Sequence, residues 1–144
     1  DGWNSTDSAN PLSAGSCAGV IMENLHEYHI TGKYQVPQDY KSGMTIKPLM
    51  TPGIDGGNVY CQHDIYHFTI GEHYLTTHDN SVTYAAATMG NMGIITAVTT
   101  ITPTNVNIGD LFSMRIRRNA VHASDTHEAS CNFLGWLVTY EGLQ

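Results

Sequence analysis

Strong cations are scarce. Lys and Arg together number 6 in 144 residues against 13 Asp and Glu, and only 13% of residues carry a charge. That is about half the usual share for a soluble globular domain. A formal charge of −7 with so few cations leaves no broad electrostatic footprint for nucleic acid. Arg115, Arg117 and Arg118 form the only basic cluster. No apolar run approaches the roughly 18–20 residues of a membrane helix. Neither nucleic acid nor membrane is therefore expected as a partner. Cysteine is sparse too: Cys17, Cys61 and Cys131, none in a CxxC pair. An odd count does not build a disulfide framework, which leaves buried free thiols, or one bridge with one thiol over. There is no GxSxG elbow. Glu23 and Glu27, the nearest carboxylate pair, read as a solvated face. No enzyme activity, metal or cofactor is expected.

What is present points to strands. The chain is 41% hydrophobic, with 14 Gly and abundant Thr, Asn and Ser, so it should fold and turn often. Residues 1–17 are polar and read as an N-terminal arm or linker, with Trp3 as a side chain that can dock on a neighbour. From residue 18 to 144 the hydrophobic period is two. Leu25–Val36, Met44–Met50, Val59–Tyr74 broken at Gly71, Ile94–Thr104, Leu111–Ala120 and Cys131–Gly142 read as strands. Pro48 marks an edge or a bulge. The Ala run at 85–87 is ambiguous between strand and a short helical turn. Phe112, Met114, Ile116, Leu134, Trp136 and Val138 are the expected core. The expected fold is all-β, a single β-sandwich or jelly roll behind a short extended arm.

Histidine outnumbers Lys plus Arg. Protonating all 8 would move the net charge from −7 to +1. His63 and His67 share a strand face but lie about 13 Å apart at roughly 3.3 Å per residue, too far for bonds of about 2 Å to one ion. His26 and His29 fall on opposite faces. A cross-strand set from His63, His73 or His78 with Asp64 or Asp79 stays open, as does one His from each of three subunits. The reading adopted is that these histidines are surface or interface residues, which predicts pH-dependent assembly between about pH 7 and 5. Cys61 and His63, about 6.6 Å apart along a strand, are not a poised nucleophile and base. Tyr60, Tyr66 and Tyr74 could stack on sugars, and Tyr84 and Trp3 could add to them. Arg117 and Arg118 must point to opposite faces. Arg118 paired with Asp125 would anchor the loop after that strand.

The segment Tyr34-Gln35-Val36-Pro37-Gln38-Asp39-Tyr40-Lys41-Ser42-Gly43 precedes a Thr-Ile strand. Gly109-Asp110-Leu111 opens a strand that ends in Arg117-Arg118-Asn119-Ala120, and Phe133-Leu134-Gly135-Trp136-Leu137-Val138-Thr139-Tyr140 closes the chain. Over about residues 25–141 this layout resembles the small jelly-roll domains of tailed-phage virions. The resemblance implies a non-enzymatic virion structural protein on the particle surface. It would be a homotrimeric capsid decoration protein or fibre knob whose partners are itself and the major capsid protein. Trp3, Arg117, Arg118, His63 and His67 would serve interface or attachment. The alternative is a carbohydrate-binding β-sandwich module that attaches to a host glycan through Tyr60, Tyr66 and Tyr74.

Overall fold

The computed structural model describes residues 4–5, 19–23, 27–71 and 78–143, with the backbone alone at 4–5, 28 and 78–84. Nine strands follow in order: β1 (Asn4–Ser5), β2 (Val20–Met22), β3 (Glu27–Gln35), β4 (Tyr40–Pro52), β5 (Asn58–Phe68), β6 (His78–Thr88), β7 (Thr96–Ala97), β8 (Leu111–Asn119) and β9 (Cys131–Gly142). No helix occurs among the described residues, so none is long and apolar enough to cross a membrane. The strands form a five-stranded sheet, β1-β3-β8-β5-β6, and a four-stranded sheet, β2-β9-β4-β7, with antiparallel pairing throughout.

From β2 to β9 every connection crosses from one sheet to the other, except the β5–β6 hairpin. The first of these eight strands pairs with the last, and the second with the seventh. That winding is a jelly roll, a two-sheet sandwich. Part of the expected arm is a strand, since Asn4 and Ser5 pair with Thr31 and Ile30 at the edge of the five-stranded sheet.

Alternation builds the core. On β8, Phe112, Met114 and Ile116 are buried and point inward. Ile30, Met44, Ile46, Met50, Val59, Cys61, Ile65 and Phe133 meet them from the other strands. Each fully buried side chain of this kind contributes about 1.5–3 kcal/mol. Trp136 packs against both apolar clusters of the interior and meets Phe133 edge-on, with ring centroids 4.7 Å apart. Gly32 makes room for it, because a Cβ there would lie 2.5 Å from the indole ring.

Four expectations change. Leu134 is not in the core. Leu49 pairs with Gly135 and Met50 with Phe133, so Leu134 is the extra residue of a bulge at Gly135, whose φ is 139°. The bulge inverts parity and lets both Phe133 and Trp136 face inward. The Ala run is strand: Ala85, Ala86 and Ala87 pair with Cys61, Tyr60 and Val59, and this pairing overrides alanine's helix preference. Ile94–Thr104 is mostly loop, keeping only β7 and one bridge from Ile101 to Ile46. Pro48 sits inside β4, but its carbonyl accepts from Val98 N–H on the β7 side. Its missing N–H thus faces the side where pairing is shortest.

Candidate functional site

Polar groups stand inside the sandwich, Arg118 and His63 with the fullest set of partners. Strand parity places Arg118 on the inward face after Ile116, and its side chain is 0% exposed. Its five N–H donors all find acceptors. Nε reaches Asp125 Oδ2 at 3.0 Å and Nη2 reaches Oδ1 at 2.8 Å. Nη2 also donates to the His127 carbonyl at 2.8 Å, and Nη1 to those of Met22 and Ala129 at 3.2 and 2.9 Å. Nη1 lies 3.6 Å from the Cys131 sulfur. Asp125 Oδ2 also accepts the Tyr60 amide at 2.9 Å. The pairing expected of Arg118 and Asp125 is present, and it anchors the β8–β9 loop to both sheets. Cys61 and Cys131 are free and buried beside it. Burial pushes both thiols up, Cys131 to about 11, so they stay protonated at neutral pH.

His63 is the second group, also 0% exposed. The indole N–H of Trp136 can only donate, and it reaches His63 Nε2 at 3.0 Å. Nε2 therefore carries no proton, and Nδ1–H donates to Thr99 Oγ1 at 2.9 Å. The imidazole links β5 to β9 and to the loop before β8. Burial holds it neutral and lowers its pKa to about 4, with Asp64 opposing that shift.

The outer face of the five-stranded sheet differs. Across β3, β8 and β5 its rows read His29–Arg117–Gln62, Thr31–Arg115–Asp64 and Lys33–Ser113–Tyr66. Asp64 is buried on this outer side, where Arg115 grips Oδ2 through Nε at 2.6 Å and through Nη2. Gln62 donates its amide to Asp64 Oδ1 at 2.8 Å. Arg117 Nη1 meets Glu27 at 3.1 Å. Gln62 Oε1, Arg117 Nε and Asn119 Oδ1 are buried atoms with no hydrogen-bond partner among the described residues. At one end of this face the Tyr60 ring lies flat on His122, with centroids 3.7 Å apart and planes 6° apart.

The predicted site residues thus separate. Trp3 and Tyr74 lie outside the described residues, as do His26 and His73. Arg118, His63 and His67, expected at an interface or attachment surface, lie inside instead. Parity with Ile116 and Ile65 puts them on the inward face, which leaves no part of them for a partner. His67 packs on Phe112 with centroids 5.0 Å apart, and Asp110 is 4.0 Å from its Nε2. Arg117 and Tyr66 share the outer face. One face of Tyr60 is already covered, so it offers a sugar less than expected. Gln62 and Asn119 were missed, and Asp64 and Arg115 were named only as a possible metal ligand and as part of the basic cluster. A polar or tyrosine side chain at every outward position from Asn58 to Tyr66 on β5 and from Ser113 to Asn119 on β8 was the available signal. Among the described residues no three His, Cys, Asp or Glu side chains converge as metal ligands.

No known protein family and no curated protein matches this chain. It is similar in structure to TmCBM61, solved in complex with β-1,4-galactotriose: TM-score 0.51, 7% identity, over 96% of this chain and 87% of that one. TmCBM61 is a β-sandwich carbohydrate-binding module, and at this identity the likeness shows the shared fold.

Two stability predictions follow from the interior. Arg118→Ala should cost about 3–5 kcal/mol in urea unfolding, because it strands a buried carboxylate. Arg118→Met with Asp125→Leu should remain strongly destabilised, since three carbonyls and the Tyr60 amide still lose their partner. For His63 the folded pKa lies below the unfolded one. Its contribution is therefore complete above about pH 6.5 and is lost as pH falls toward 4. The loss is about 3 kcal/mol at 1.36 kcal/mol per unit. The urea midpoint should hold from pH 8 to 7 and then drop, and His63→Gln should flatten that drop.

Proposed function

We propose that this chain is a non-catalytic binding module that holds a carbohydrate against the outer face of the five-stranded sheet. The observation that carries this reading is the floor of that face. Gln62 Oε1 is an unpaired acceptor and Arg117 Nε an unpaired donor, on residues directly opposite each other in the β5–β8 register. A hydroxyl both donates and accepts, so one admitted between them by a small shift of the Gln62 or Arg117 side chain would satisfy the two together. Half-buried Tyr66, two residues beyond Asp64, gives the ring surface a sugar needs beside such polar groups. The fold-level likeness to a carbohydrate-binding module supports the same reading.

A second reading, the homotrimeric virion structural protein, rests on a different feature. At one end of the sandwich Ile54, Met92, Ile94 and Ile95 are all exposed, Met92 by 66%. The loops carrying them are fixed to each other. Met92 N–H donates to Asp55 Oδ1 at 2.6 Å, and Gly56 N–H to the Gly90 carbonyl at 3.2 Å. A stiff aliphatic end on a weakly charged chain suits contact with another subunit or a capsid shell.

Titration calorimetry against a panel of oligosaccharides tests the first reading. A saturable heat that falls at least tenfold in affinity in Tyr66→Ala, with an unchanged melting temperature, is expected. No heat with any glycan, together with a light-scattering mass of about 47 kDa, three times 15.7 kDa, would favour the second.

A further inference from the structure

Among the described side chains, the proposed face carries a charge opposite in sign to that of the chain. The chain carries −7 and only six Lys and Arg. Arg118 is spent inside the sandwich. Of the other five, Lys33, Arg115 and Arg117 sit on the outer face of the five-stranded sheet, and register places them on the neighbouring strands β3 and β8. Against them the described residues of this face set two carboxylates, Asp64 and Glu27. The other carboxylates whose side chains are described lie elsewhere: Asp39, Asp55, Asp110, Asp125 and Glu128 in loops, Glu23 beyond β2, and Glu141 on β9; Asp79, on β6, is described in its backbone alone.

Resting on the carbohydrate reading above, we infer that the glycan this face takes is acidic, a polysaccharide whose sugar rings carry carboxylates. Three features argue for it. Arg115 and Arg117 are two residues apart on β8, roughly 7 Å of strand rise, so their guanidinium groups form a track. Each keeps N–H groups beyond its own ion pair. Arg115 uses Nε and Nη2 on Asp64, and Arg117 uses Nη1 on Glu27 while Nε is unpaired. Both side chains remain partly exposed, 38% and 29%. The guanidinium fork suits a carboxylate better than a neutral hydroxyl. Aromatic surface, the usual platform for neutral sugars, is confined to one strand here. Among the described side chains of the face it consists of Tyr60, Tyr66 and Phe68, all on β5, and His122 covers one ring face of Tyr60.

Binding of polygalacturonate, neutral β-1,4-galactan and dextran sulfate to the whole chain, measured by calorimetry at 50 and 500 mM NaCl, tests this. Polygalacturonate should bind at least tenfold more tightly than either of the others and weaken at least tenfold in high salt. Arg117→Gln should weaken it at least tenfold. Glu27→Gln, which frees Arg117, should tighten it about threefold. Lys47→Gln and Glu141→Gln, on the other sheet, should leave it unchanged. Equal affinity for galactan overturns the acidic assignment and leaves the carbohydrate reading standing. Equal affinity for dextran sulfate reduces the effect to bulk charge and overturns it too. A gain in Glu141→Gln equal to that in Glu27→Gln does the same. No binding to any of the three overturns both readings.

Discussion

One buried guanidinium holds this sandwich in register. A charge taken out of water must recover its hydration from the protein, and a partial recovery leaves a penalty of several kcal/mol. Arg118 recovers it completely, but only if β2, β9 and the 120–130 loop stand in one arrangement around β8. The Met22 carbonyl comes from β2, those of His127 and Ala129 come from the loop, and Asp125 faces the fork bidentately. Asp125 in turn accepts the Tyr60 amide near the start of β5. A slip of either sheet would break several of these bonds at once. An apolar core tolerates such slips far better, because dispersion has no direction.

The His63 link acts at the other level of the core. Trp136 belongs to both apolar clusters, and its indole N–H must end somewhere. His63 accepts it from the opposite sheet, and Gly32 leaves the ring its space. Indole, imidazole and the Thr99 hydroxyl then form a chain in which each donor has one acceptor. The chain works only with a neutral imidazole. That makes the tie between the sheets sensitive to acid in a way that the Arg118 cluster is not. The opening excess of histidine is therefore partly an interior property: His63, His67 and His127 are buried, and the charge swing available to the surface is smaller than the composition implies.

Strand periodicity was enough to read much of this. The β8 alternation placed Phe112, Met114 and Ile116 inward and required one of Arg117 and Arg118 to follow them. The same parity applied to Cys61, His63, Ile65 and His67 would have sent both histidines inside, but their polarity suggested the surface. Polarity misleads there because a neutral imidazole with two partners is an acceptable core group. Leu134 was misread for another reason. A bulge depends on which residue the opposite strand presents, here Leu49 and Met50 across from Gly135 and Phe133, and that pairing is not local. The outer face was legible only in part, through Arg117, Tyr60 and Tyr66, because its residues are scattered over three strands and meet only through the β3–β8–β5 register.

The two sides of β5 make the functional argument. On the inner side His63 has a partner for each nitrogen, and Cys61 is a protonated thiol in an apolar cluster. Folding alone accounts for them. On the outer side Asp64 is held by Arg115 and Gln62, yet Gln62 and Arg117 leave an acceptor and a donor unused side by side. A strand whose stability were the only requirement would carry Thr or Val at those positions. Buried polar atoms left unpaired cost about 1–3 kcal/mol each. Their persistence on one face, together with half of the chain's Lys and Arg, is what the proposed polar, charge-bearing ligand would account for.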